Sequence, residues 1–266
     1  MNFRHFPNSV VLAGLLFWAP EHAFAWGTKG HEIAASVALH ELDRAARIQV
    51  AALLGSDSML VEGANWADEI RSRRRDTARW HFVDIPLNAP YFDSQRDCPM
   101  QACVVAQIDK DVQVLANPKL ERAVRAEALL FLVHFVADLH QPLHTEDNDD
   151  KGGNEVRVLL GGERTNLHRV WDVDVVEPLG PDVAAIADDI ERTLTPAQRK
   201  IWENGTPADW ANETHAIARD QIYPPLMGER EVRLSRAYLW REAPLARQLL
   251  AKAGLRLAWL LNSTLK

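Results

Sequence analysis

The stretch His134-Phe135-Val136-Ala137-Asp138-Leu139-His140-Gln141-Pro142-Leu143-His144 carries three histidines and one aspartate in eleven residues. His134 and Asp138 are four apart, so on a helix they project from one face. Residues 126–133 before them are apolar apart from Glu127, and nothing there breaks a helix. An imidazole and a carboxylate on a largely buried helix are costly unless something satisfies them. A divalent metal does so, and a plain ion pair to an arginine is the alternative. Pro142 ends the helix or bends the chain and carries His144 off that face. The segment can therefore feed two different metal positions.

Outward from this stretch, apolar spacing predicts helices over 32–54 (ending at Gly55), 58–74, 104–116 and 120–139. A further helix starts over 167–176, and others follow over 182–194, 207–222 and 230–261. Residues 80–90, with prolines at 86 and 90, are extended and irregular. Residues 147–154 form a polar, glycine-containing loop, and 155–167, broken at Gly161-Gly162, read as a short hairpin. The expected fold is all-α, one helical domain over residues 26–266 with a short β-hairpin. The chain of 266 residues is 47% hydrophobic and 25% charged, with no sign of repeats, linkers or disorder.

Residues 1–25 read as a secretory signal. Arg4 gives a short basic start, the apolar core over 10–19 is too short to span a bilayer, and Ala23-Phe24-Ala25 is a small-x-small cleavage site. The exported protein would begin at Trp26, with no membrane anchor. Cys98 and Cys103 are the only cysteines. Their spacing suits a small local disulfide in an exported protein. A lone C-x4-C pair is also a weak zinc signal, with no second pair to complete a site. The net charge of −7 argues against tight electrostatic binding of a nucleic-acid backbone. Metal ions gathered in one cleft would change that balance locally, so a phosphate substrate is not excluded. Three Asn-x-Ser/Thr sequons, at Asn204, Asn212 and Asn262, matter only where a host glycosylates.

Of ten histidines, His5 and His22 fall in the signal. Five of the others sit in short motifs: Trp26-Gly-Thr-Lys-Gly-His31, Trp80-His81-Phe82-Val83-Asp84, His134-x3-Asp138, Gln141-Pro142-Leu143-His144, and Asn166-Leu167-His168-x3-Asp172. His168 and Asp172 repeat the spacing of His134 and Asp138. Imidazole with carboxylate is the zinc ligand set of hydrolytic sites. His40, His140 and His215 lack a patterned acid partner and read as structural. The nine tryptophans are mostly packing residues.

These motifs, with Asn65-Trp66-Ala67-Asp68 followed by Arg71 and with Gly152-Gly153-Asn154, resemble the zinc-dependent single-strand-specific nucleases. That is the nuclease S-one/P-one family, a relative of zinc-dependent phospholipase C. The resemblance spans residues 26–266 and implies an all-α fold with three Zn2+ ions. It assigns Asp68, His81, His134 and Asp138 to a first zinc. The α-amino nitrogen and carbonyl oxygen of Trp26, His31 and a bridging Asp138 would hold a second. His144, His168 and Asp172 would hold a third. A local disulfide between Cys98 and Cys103 is implied as well, whereas a long-range one found in fungal members cannot form without further cysteines.

The same resemblance implies an exported nuclease, read as a monomer, that cuts single-stranded DNA and RNA to 5′-phosphorylated products. It implies activity on 3′-nucleotides as well. Asp68, Asp138 and Arg71 would be catalytic, with the Arg71 guanidinium meeting charge in the transition state. Phe82 would stack an unpaired base, Asp84 would accept hydrogen bonds from a base edge, and Asn154 would touch substrate. Each has a plainer alternative: Phe82 as core, Asp84 in a turn or ion pair, Arg71 in a surface salt bridge, and Asn154 fixing its loop. The competing enzyme class is a zinc phospholipase C acting on lipid head groups. That class carries Glu rather than Asp four residues after the last histidine ligand and lacks Trp-His-Phe-x-Asp, so Asp172 and Asp84 favour the nuclease. A third reading is an exported zinc-binding protein without activity.

Overall fold

The computed structural model describes residues 26–226, 228 and 231–266. The signal expected over residues 1–25 lies outside them. In chain order the helices are α1 (Thr28–Glu41), α2 (Arg44–Leu54), α3 (Met59–Glu62), α4 (Trp66–Arg71), α5 (Ser94–Asp97) and α6 (Val104–Ala116). They continue as α7 (Arg122–Asp138), α8 (Leu167–Arg169), α9 (Val183–Thr193), α10 (Pro196–Trp202), α11 (Pro207–Ile217) and α12 (Arg236–Thr264). Three short strands, β1 (Arg157–Leu160), β2 (Glu163–Asn166) and β3 (Val232–Leu234), complete a mainly helical fold.

Several elements depart from the sequence reading, each for a local reason. The run over 32–54 is two helices, because Leu42 turns extended and Asp43 caps α2, its side chain accepting from the Ala46 N–H at 2.8 Å. The run over 58–74 breaks at Gly63, whose φ of −89° and ψ of 2° end α3, so α3 and α4 are separate turns. Residues 167–176 wind as one short α turn and then a π-helical turn over Val170–Asp174. The hairpin is present, with β1 antiparallel to β2, and β3 adds in parallel to β1 with Val158 opposite Val232. β3 occupies a stretch that had read as the start of the last helix.

The apolar run before His134 becomes α7, which is buried from Ala128 to Asp138 except for Leu130. A helix apolar on all sides must be surrounded, and α1, α4, α6 and α12 all pack on it. Phe135 belongs to one apolar cluster with Leu129, Leu132 and Trp210. Ala137 belongs to a second with Trp26, Trp171 and Leu250. His134 and Asp138 therefore sit where the two clusters meet.

The extended segment after Trp80 is zipped to the chain beyond Pro142. The Val83 N–H donates to His144 O at 2.8 Å, Asp147 N–H to Ile85 O at 2.9 Å, and Leu87 N–H to Asp147 O at 3.0 Å. This pairing sets His81, Phe82 and Asp84 beside His144. Cys98 and Cys103 form a disulfide with Cα atoms 5.3 Å apart. The Val104 N–H next to it donates to Phe82 O at 3.0 Å, tying that loop to the same segment.

Candidate metal centre

Three groups of His and Asp side chains converge, each with candidate ligand atoms within 4.8 Å of one another: Asp68–His81–His134, His31–His134–Asp138 and His144–His168–Asp172. Every member is buried. In such a seam an unpaired polar group costs roughly 1–3 kcal/mol and an isolated charge far more. Asp138 faces two groups at once. Its Oδ1 lies 3.4 Å from His31 Nε2, while its Oδ2 lies 3.1 Å from His81 Nδ1 and 3.3 Å from His134 Nε2. Asp68 Oδ1 stands 3.6 Å from His81 Nδ1 and 3.7 Å from His134 Nε2.

The outer nitrogens of three rings are anchored on carbonyls. His134 Nδ1 donates to Ala64 O at 2.8 Å, His144 Nδ1 to His81 O at 2.7 Å, and His168 Nδ1 to Gly152 O at 2.6 Å. A carbonyl only accepts, so each Nδ1 carries its proton and, in a neutral ring, leaves Nε2 as a lone pair. The Nε2 atoms of His144 and His168 then face each other at 3.1 Å. Two lone pairs at that distance repel unless a cation lies between them. Gly152 makes this possible. Its φ is +61°, and a Cβ there would sit 2.4 Å from Leu143 O.

Charge follows the same pattern. Burial holds the imidazoles of His31, His81 and His144 below their usual range and His168 down to about 3, so they favour the neutral form that binds metal. Burial opposes charge on His134 too, but Asp138 and Asp68 outweigh it and push its pKa to about 9. The two carboxylates demand a positive charge, which a divalent ion would supply. The donor set of imidazole nitrogen and carboxylate oxygen suits zinc and its neighbours.

Trp26 is fully buried at the start of α1. It packs on Gly30, where an added Cβ would lie 2.7 Å from Trp26 Cβ, and the next N–H, of Gly27, donates to Asp172 O at 2.7 Å. The first residue expected after export is thus fastened beside the third group.

A cleft of about 310 Å³ opens over the centre. Arg71, Phe82, Asp84 and Asn154 all line it, with His81, His144 and His168 at its floor. Two of these residues have a second engagement. Asp84 pairs with Arg79 at 3.4 Å, and burial, then Asp147, raises its carboxyl above the usual range. Asn154 Nδ2 donates to Lys151 O at 2.8 Å, so its amide also fixes the loop. Sequence reading missed Arg79, Glu146 and Lys151 on the cleft wall. It also gave no role to Gln141, although that residue stands in the defining stretch. His140 is structural as expected, with Nδ1 donating to Val136 O at 2.7 Å and Nε2 accepting from Arg256 at 2.7 Å.

Buried His and Asp groups able to hold metal, set under an open cleft in a helical fold, are the build of a metal-dependent hydrolase. The S1/P1 Nuclease family model matches residues 26–266, and the chain belongs to that family of metal-dependent nucleases. Its similar relatives include Endonuclease 2 of Arabidopsis thaliana, 30% identical over 97% of this chain and 96% of the relative. Nuclease P1 of Penicillium citrinum is 33% identical over 75% of this chain and 82% of the relative. Nuclease S1 of Aspergillus oryzae is 31% identical over 96% and 97%.

Proposed function

We propose that this nuclease is an exported, zinc-dependent phosphodiesterase that hydrolyses single-stranded DNA and RNA to 5′-phosphorylated products and also acts on 3′-nucleotides. The observation that carries the reading is the closeness of three His/Asp groups beneath one cleft that also presents Arg71 and Phe82. Asp68, His81, His134 and Asp138 would hold one zinc. His31, Asp138 and the α-amino nitrogen and carbonyl oxygen of Trp26 would hold another, and His144, His168 and Asp172 the third. Bound by these residues, zinc would supply a water of lowered pKa and offset the negative charge that shields a phosphodiester from attack.

The chain's own groups do the rest. Arg71 offers guanidinium N–H donors to phosphate oxygens as charge builds on them. Phe82 gives a face for a base, and a base is free to stack only when unpaired, which favours single strands. Asp84 accepts from the N–H groups of a base edge. Asp138, with one oxygen toward each of two groups, keeps those groups at fixed separation. Export is supported by the leader-like residues 1–25 and by the disulfide, which persists in oxidising compartments.

Digests of single-stranded DNA and RNA analysed by mass spectrometry test the reading. Departure of the 3′ oxygen leaves phosphate on the 5′ side, so 5′-phosphorylated nucleotides are expected. Products ending in 3′-phosphate or 2′,3′-cyclic phosphate would contradict it.

A further inference from the structure

Gln141 is fully buried between the end of α7 and the turn that carries His144. Its Nε2 donates to Asp172 Oδ1 at 2.6 Å, and its Oε1 accepts from the Leu143 N–H at 2.6 Å. One amide thus bonds both a carboxylate of the third group and the backbone of the turn leading to His144. An amide suits this place because it donates at one end and accepts at the other. With Oδ1 occupied, Asp172 turns Oδ2 toward His168 Nε2, 3.4 Å away. The Asp172 carbonyl is held independently by the Gly27 N–H at 2.7 Å.

We propose that Gln141 is a positioning residue that fixes Asp172 and the His144 turn together, and so sets the affinity of the third metal position without touching the metal. The proposal rests on the zinc reading above. Groups that orient ligands from behind typically govern metal affinity by about 10–100-fold. The effect is selective, because among the described residues the Gln141 side chain bonds only Asp172 and the Leu143 N–H, and its backbone N–H bond to Asp138 O, at 2.9 Å, does not depend on the side chain.

The test is a competition titration of purified protein with a graded chelator, resolving zinc loss step by step, on wild type, Gln141→Glu and Gln141→Leu. Gln141→Glu is nearly isosteric and still accepts from the Leu143 N–H, but sets a carboxylate where Asp172 needs a donor. Both variants should release one zinc about 10–100-fold more easily and the other two as wild type does. Raised free zinc should restore kcat in Gln141→Glu, which a folding defect would not allow. Wild type holding three zincs while Gln141→Glu holds three with unchanged affinity would overturn the positioning role. Equal loss of all three zincs from Gln141→Glu would overturn it too. Wild type holding fewer than three would instead contradict the zinc assignment itself.

Discussion

Asp138 shows how much one residue decides. Its two oxygens face separate histidine groups, and two of the three groups need it or its neighbour His134. The i, i+4 spacing on an apolar helix made this legible, since a carboxylate cannot rest in such a place alone. Single-residue roles at the cleft were less legible. Asp84 meets Arg79 and Asn154 holds its own loop, so both the plainer and the functional reading have a basis in contacts. Spacing along a chain does not say which partner a polar side chain chooses. Gln141 escaped notice because its two partners lie in a turn and on a distant segment. For Phe82 the readings separate cleanly. Phe82→Ala should weaken binding of a single-stranded oligonucleotide by about 1–3 kcal/mol, the scale of one base stack. Zinc content should stay as in wild type. Fluorescence titration giving the same Kd for both proteins would return Phe82 to a packing role.

α6, with its strong apolar periodicity, and α7, a nearly continuous apolar run, both lie within two residues of their expected ends. The misses are breaks and long-range pairings. Periodicity runs unbroken through Leu42-Asp43, and only the cap on Asp43 reveals two helices. β3 pairs with a strand far back in sequence, which no local pattern encodes. The contact of α1 with α12 is a packing feature of the same kind. Gly254 lies where an added Cβ would stand 2.5 Å from Val37 Cβ and 2.8 Å from Ala34 O. Gly254→Ala should force α1 away from α12 and cost about 1–3 kcal/mol, as overpacked cores do. In a protein of this size that lowers Tm by roughly 2–12 °C. Calorimetry of the metal-loaded protein showing an unchanged Tm would mean the helices do not approach so closely.

At the scale of the molecule, a chain of net charge −7 acts on a polyanion. The acids that make it acidic include Asp68, Asp138 and Asp172, and metal binding would reverse their sign locally. In the proposed zinc reading, where export leaves Trp26 as the first residue, the buried start of α1 would link maturation to activity. A backbone amide nitrogen is a poor ligand, because its lone pair is delocalised into the carbonyl. A free amine, with pKa near 7.7–8.0, deprotonates easily on a metal. Protein beginning at Trp26 should therefore bind one more zinc than protein with one extra residue before it, and should be far more active. Equal zinc content and equal cleavage of single-stranded DNA by the pair would remove Trp26 from the ligand set.

The proposed trinuclear zinc centre is tested most directly by elemental analysis of unchelated protein beginning at Trp26, paired with hydrolysis of single-stranded DNA and RNA before and after chelation. Three zincs per chain are expected, with hydrolysis lost on chelation and regained when zinc is returned. One zinc or none, or hydrolysis that survives full chelation, would contradict it.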